Sequence, residues 1–81
     1  MMIQTLQGNF IQYRMICAIN INNNYIVASL TCGEHHDLYA SDKMITYEQN
    51  EQLNKYLSIR NITDQYVMQS DILHTINATF K

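Results

Sequence analysis

The chain has 81 residues, enough for one small core and too few for two, so residues 1–81 are expected to form a single domain. Its formal charge is −2, from 7 acidic and 5 basic residues, and only 15% of it is charged against about 25% in ordinary globular proteins, so Asn, Gln, Ser and Thr must cover much of the surface. Arg14, Lys43, Lys55, Arg60 and Lys81 are scattered, which leaves no basic stripe to neutralise successive phosphates and argues against direct nucleic-acid binding. No apolar run approaches the ~20 residues of a membrane span, and the N-terminus lacks a basic region followed by a hydrophobic stretch. The expectation is a soluble cytoplasmic protein with no membrane partner, whose Cys17 and Cys32 are reduced thiols facing the core.

Met2 to Leu6 is partly apolar and runs into Gln7-Gly8-Asn9, where Gly-Asn suits a tight turn, and so reads as a first edge strand. A two-residue turn would direct Gln4 and Leu6 to the core, and a three-residue turn Ile3 and Thr5. From Phe10 to Cys32 two alternating runs flank Asn22-Asn23-Asn24 and predict one long β-hairpin. A two-residue turn at Asn23 and Asn24 sets Ile21 opposite Ile26, Ile19 opposite Ala28, Cys17 opposite Leu30 and Met15 opposite Cys32. Slipping by one residue would set this apolar row against Tyr25, Val27, Ser29 and Thr31, a poorer match. After a loop at Gly33-Glu34-His35-His36, Asp37 to Ser41 reads as a fourth, weaker strand.

At Thr46 the period changes. Thr46 and Gln49 have the spacing of a capping box, with Glu48 and Glu51 near the start and Lys55 and Arg60 near the end, as the helix dipole favours. A helix is predicted from Tyr47 to about Ser58, with an apolar stripe of Leu53, Tyr56 and Leu57, Tyr47 or Ile59 at its ends and Asn61 as a left-handed stop. Beyond Thr63 two readings remain: one helix through Tyr66, Leu73, Ile76 and Phe80, or a strand at Tyr66 to Met68 followed by a helix capped by Ser70 or Asp71. Strands first and helices after predict an α+β fold: an antiparallel three- to four-stranded meander sheet with two C-terminal helices packed on one face.

The densest chemical cluster is Cys32-Gly33-Glu34-His35-His36-Asp37. Its Cys and His could hold a soft-ligand metal or form a thiol–imidazole dyad, but there is no second Cys-x-x-Cys or Cys-x-x-His pair, and adjacent histidines in a turn point apart. A solvated loop accounts for the cluster, and a capped first helical turn accounts for Glu48 and Glu51. With only Gly8 and Gly33, no Gly-rich phosphate loop exists. No catalytic, cofactor or metal residue is therefore assigned. Six tyrosines are many for this length, and Tyr suits contact surfaces. Residues directed away from the apolar row, Arg14, Ile16, Ala18, Asn20, Tyr25, Val27 and Ser29, form a weakly charged sheet face and are the expected protein-binding residues.

This layout resembles the small phage-encoded anti-CRISPR proteins of type I-F: a short first strand, a long hairpin containing Tyr13-Arg14-Met15-Ile16-Cys17-Ala18, a fourth strand, a Thr-capped helix reading Thr46-Tyr47-Glu48-Gln49-Asn50-Glu51-Gln52-Leu53, and a final helix. The parallel covers most of the chain. It implies a non-enzymatic inhibitor in the host cytoplasm that binds the crRNA-guided surveillance complex through its sheet face and blocks hybridisation with target DNA. The aromatic residues that family carries on the binding face are replaced here, with Leu6 and Asn20 or Ile21 standing roughly in their places. The expected function is a small protein-binding inhibitor without a cofactor. The alternatives are a structural homo-oligomer, dimeric through the same face or an edge strand, and a small metal or thiol enzyme.

Overall fold

The computed structural model describes residues 1–63 and 65–78. The fold is α+β, in the order the periodicities predict. Strands β1 (Met2–Gln4), β2 (Phe10–Gln12), β3 (Ile16–Asn22), β4 (Tyr25–Leu30) and β5 (His35–Ala40) precede helix α1 (Tyr47–Thr63), and a short strand β6 (Tyr66–Val67) leads into helix α2 (Gln69–Ala78). The strands build two three-stranded sheets rather than one. β3, β4 and β5 make the antiparallel meander, while β1, expected at an edge, is the middle of a smaller sheet, antiparallel to β2 and parallel to β6.

At its tip the β3–β4 hairpin has the register the apolar row demands, with Asn22 opposite Tyr25, Ile21 opposite Ile26 and Ile19 opposite Ala28. Asn23 supplies the left-handed residue of the turn at φ 56°. Asn24 ties the tip to the end of β5: its side-chain amide donates to the Ser41 carbonyl at 2.6 Å, and the Ser41 N–H donates to the Asn24 carbonyl at 2.9 Å. Lower down the register shifts, so that Ile16 rather than Cys17 lies opposite Leu30 and Cys17 becomes the extra residue of a β-bulge. The bulge reverses the facing of what precedes it. Ile16, expected on the outer face, packs against the core, while Met15 and Cys17, expected inside, are exposed. Cys32 is exposed as well, and both thiols are free.

The predicted long first strand therefore ends at the bulge. Tyr13–Met15 form a single 3₁₀ turn, held by the Tyr13 N–H on the Met1 carbonyl and the Thr31 N–H on the Met15 carbonyl, both at 2.9 Å. Phe10–Gln12 continues into the other sheet. No Gly or Pro lies between Phe10 and Cys32 to mark the break, so the alternation reads straight through it.

The two glycines close the same kind of loop twice. Thr5 N–H donates to the Asn9 carbonyl at 2.7 Å and Gly8 N–H to the Thr5 carbonyl at 2.9 Å; Leu30 N–H donates to the Glu34 carbonyl at 2.8 Å and Gly33 N–H to the Leu30 carbonyl at 3.0 Å. In both loops the third residue is the glycine, at φ 94° for Gly8 and 93° for Gly33, a conformation that favours residues without a Cβ. The first loop settles the facing of β1: Ile3 and Thr5 are buried, as a three-residue turn requires. The second starts β5 at His35, so His35 and His36 lie in a strand and not in the expected loop. A second bulge, at Leu38, lets both Leu38 and Tyr39 turn inward.

Helix α1 begins with the predicted capping box, Thr46 N–H on Gln49 Oε1 at 2.8 Å and Gln49 N–H on Thr46 Oγ1 at 3.2 Å. It runs past Ser58 and through Asn61, the expected stop, to Thr63. Leu53 and Leu57 are fully buried, each worth about 1.5–3 kcal/mol of apolar transfer. Tyr47 and Ile59, expected to extend this stripe, are 72% and 65% exposed. Gln49 and Asn50 occupy the core-side positions instead, and the Asn50 amide donates to the Ile19 carbonyl of β3 at 3.2 Å.

The C-terminal segment follows the strand-then-helix reading. Met68 is the residue before α2, with its N–H donating to Asp71 Oδ2 at 2.9 Å and its carbonyl accepting the Asp71 N–H at 3.0 Å, so Asp71 acts from the third helical position rather than as the cap. Ile72 and Ile76 are buried and Leu73 is exposed; Phe80, expected on the same face, lies outside the described residues. Gln69 joins α2 to both sheets. Its N–H donates to Gln4 Oε1 at 2.9 Å, and its side-chain amide donates to the Gln4 carbonyl at 2.8 Å and the Leu38 carbonyl at 2.9 Å. One core, running from Ile3 and Val67 through Ile19, Ile26 and Ala28 to Leu53, Leu57, Ile72 and Ile76, results. Neither helix is long and apolar enough to cross a membrane.

Candidate functional site

With α1 against β3, α2 against β5 and the inner residues of the meander in the core, the outer face of β3–β4–β5 has no packing role among the described residues. Its rows follow from the registers. Ala18 lies opposite Ser29 and Ser29 opposite His35; Asn20 lies opposite Val27 and Val27 opposite Asp37; Asn22 lies opposite Tyr25 and Tyr25 opposite Ala40. Asn20, Asn22, Val27, Ser29, His35 and Asp37 line a shallow depression of about 400 Å³ that opens to solvent.

Of the seven residues predicted for a contact face, the structure brings five together. Ala18, Asn20, Tyr25, Val27 and Ser29 share the outer face, Asn20 and Tyr25 exposed and the others half-buried. Ile16 is removed from it by the Cys17 bulge and packs against the core. Arg14 sits in the exposed 3₁₀ turn, off the sheet. Four further members, Asn22, His35, Asp37 and Ala40, were not expected there. Asn22 continues the even-numbered row of β3. His35 and Asp37 could have been found by applying to Gly33 the three-residue turn weighed for Gly8, which sets Leu30 opposite Glu34 and hence Ser29 opposite His35 and Val27 opposite Asp37, in a ladder unbroken until the bulge at Leu38.

Ser29 Oγ and His35 Nδ1 share a hydrogen bond of 3.0 Å, and Cys17 Sγ donates to the Ser29 carbonyl at 3.2 Å. A hydroxyl and an imidazole at that distance have the spacing of a nucleophile and its base. Ser29, however, lies in β4, the central strand of the meander, directly opposite His35 on β5. The contact reads as a cross-strand pair. His36, on the opposite side of β5 from His35, shares a 3.3 Å contact with Glu34 Oε2. Adjacent strand residues diverge, and among the described residues no three His, Cys, Asp or Glu side chains converge as a metal-ligand set.

A larger groove, about 740 Å³, runs between α1 and α2 and is lined by Glu48, Lys55, Tyr56, Ile59 and His74 among others. Helix α1 brings both a carboxylate and an ammonium to it, Glu48 and Lys55, and Tyr56 is engaged by the Arg60 guanidinium 5.6 Å from its ring centre. The depression on the outer sheet face differs in having one carboxylate, Asp37, two amides, Asn20 and Asn22, and no Lys or Arg among its described lining residues. Compared with protein-family models, curated proteins and solved structures, the chain matches none.

Proposed function

We propose that this protein is a small non-enzymatic binding domain that acts by occupying a partner protein with the outer face of its β3–β4–β5 sheet. The observation that carries this reading is the division of labour in the meander: Ile19, Ile26 and Ala28 are buried in the core, while Asn20, Tyr25, Val27 and Ser29, the residues alternating with them, face outward around an open depression. An outer face that mixes apolar side chains with amides and hydroxyls and carries little charge has the composition of a contact surface. The type I-F anti-CRISPR layout supplies the first partner to test, a crRNA-guided surveillance complex, with inhibition of target-DNA hybridisation as the activity.

The test is capture of that complex, and of host lysate proteins, on immobilised wild-type chain and on the Tyr25→Ala, Val27→Asp double variant. A stoichiometric partner that is captured by the wild type and lost by the variant supports the face. Capture of nothing by the wild type, or equal capture by both, defeats it. A second reading, self-association, is favoured by β3, an edge strand of seven residues, Ile16–Asn22, with no charge and no proline. Light scattering of the purified chain separates the two, since a stable dimer at micromolar concentration is expected only from self-association.

A further inference from the structure

The depression on the outer sheet face combines features that suit one kind of side chain. Asp37 is half-buried on its wall, and among the described residues no cation pairs with its carboxylate. Across β4 from it, Asn20 and Asn22, at alternate positions of the opposite edge strand β3, line the same hollow with amide groups whose carbonyl oxygens are acceptors. Val27 lies in the row between Asn20 and Asp37, so the floor is apolar where the walls are polar. The imidazole of His35 is engaged on its Nδ1 side by Ser29.

We propose that this depression is the subsite for an arginine side chain of the protein partner, a proposal that rests on the outer face being the contact surface. A carboxylate accepts a guanidinium through two parallel N–H bonds, and the remaining N–H groups of the fork need neutral acceptors in the same plane. Asp37 supplies the first requirement and the amides of Asn20 and Asn22 the second. The methylene stem of arginine would lie on Val27. A lysine ammonium, compact and strongly hydrated, would use the carboxylate but gain less from separated amide acceptors. The chain's negative formal charge assists approach of a cationic segment.

The experiment is a ¹⁵N-detected titration of the full 81-residue chain with three blocked tripeptides, Gly-Arg-Gly, Gly-Lys-Gly and Gly-citrulline-Gly. Citrulline keeps the shape of arginine and removes its charge. The arginine peptide is expected to move the amide signals of Asn20, Asn22, Val27 and Asp37 saturably, to bind about tenfold more tightly than the citrulline peptide, and to lose about tenfold on Asp37→Asn. The lysine peptide is expected to bind more weakly than the arginine peptide. Equal binding of arginine and citrulline, an unchanged affinity in Asp37→Asn, a lysine peptide as tight as arginine, or shifts confined to the α1–α2 groove near Glu48 would each overturn the assignment. The titration needs no partner: if it fails while the Tyr25→Ala, Val27→Asp variant still loses its captured protein, the contact face stands and only the arginine subsite falls.

Discussion

Cys17 shows how a single residue decides what a face contains. By standing outside the β3–β4 ladder it turns Ile16 inward and leaves Met15 exposed, so a strict alternation in the sequence becomes two facings in the structure. Thr5 poses the opposite problem. Its side chain is wholly buried on the inner side of the small sheet, and its hydroxyl has no partner among the described residues. Because a buried hydroxyl without a partner loses its hydration for nothing, the near-isosteric Thr5→Val is expected to stabilise the fold by about 1 kcal/mol in urea unfolding. A clear loss of stability would show that the hydroxyl is in fact bonded. Gly8 and Gly33 make a matched pair: equal φ values, and open space where a Cβ would stand. Their alanine variants should therefore each cost about 1–2 kcal/mol, the intrinsic penalty of the left-handed conformation, and by the same amount within error. Unequal losses would mean that something other than backbone conformation is at stake in one loop.

Between elements, the joint that matters most is Gln69 at the start of α2, which donates to a carbonyl of each sheet. Two effects oppose each other in Gln69→Glu. An acid in the first helical turn normally gains about 0.3–1 kcal/mol from the helix dipole. Here the new carboxylate would face the Gln4 and Leu38 carbonyls in place of the donating amide, leaving both without a partner at about 1–3 kcal/mol each. Gln69→Ala removes the same two bonds, but Gln69→Glu also holds a carboxylate against two carbonyl oxygens with no proton between them, a repulsion that exceeds the dipole gain, so Gln69→Glu is expected to destabilise the fold by more than Gln69→Ala, and thermal unfolding of the two variants gives the order directly. The capping box of α1 was legible because Thr46, Gln49 and the change of period occur together within four residues. The end of α1 was not, because Asn61 is a stop only when tertiary contacts leave the helix free to end there. Gln69 could not be read from sequence at all, since its partners are 65 and 31 residues away.

For the molecule as a whole, the order of strands and helices was enough to predict the α+β class, and the hairpin tip was enough to set the upper register of the meander. The division into two sheets was not visible, because it depends on the unmarked 3₁₀ turn at Tyr13–Met15 that parts β2 from β3, and on β6, a two-residue strand that pairs in parallel with β1 across the length of the chain. The outer sheet face was legible for Ala18, Asn20, Tyr25, Val27 and Ser29 of the hairpin and was missed where it lies on β5, whose histidines read as a loop. What unites these levels is sidedness: within β4, neighbouring residues serve the core and the outside alternately. The most direct test compares Ala28→Asp with Val27→Asp in both unfolding and partner capture. Ala28 is fully buried beside Ile19, so its aspartate should unfold the protein, whereas Val27→Asp should remain folded within about 1 kcal/mol of wild type and lose the partner. A Val27→Asp protein that unfolds as Ala28→Asp does, or that folds and still holds the partner, would contradict the outer sheet face as the working surface of this protein.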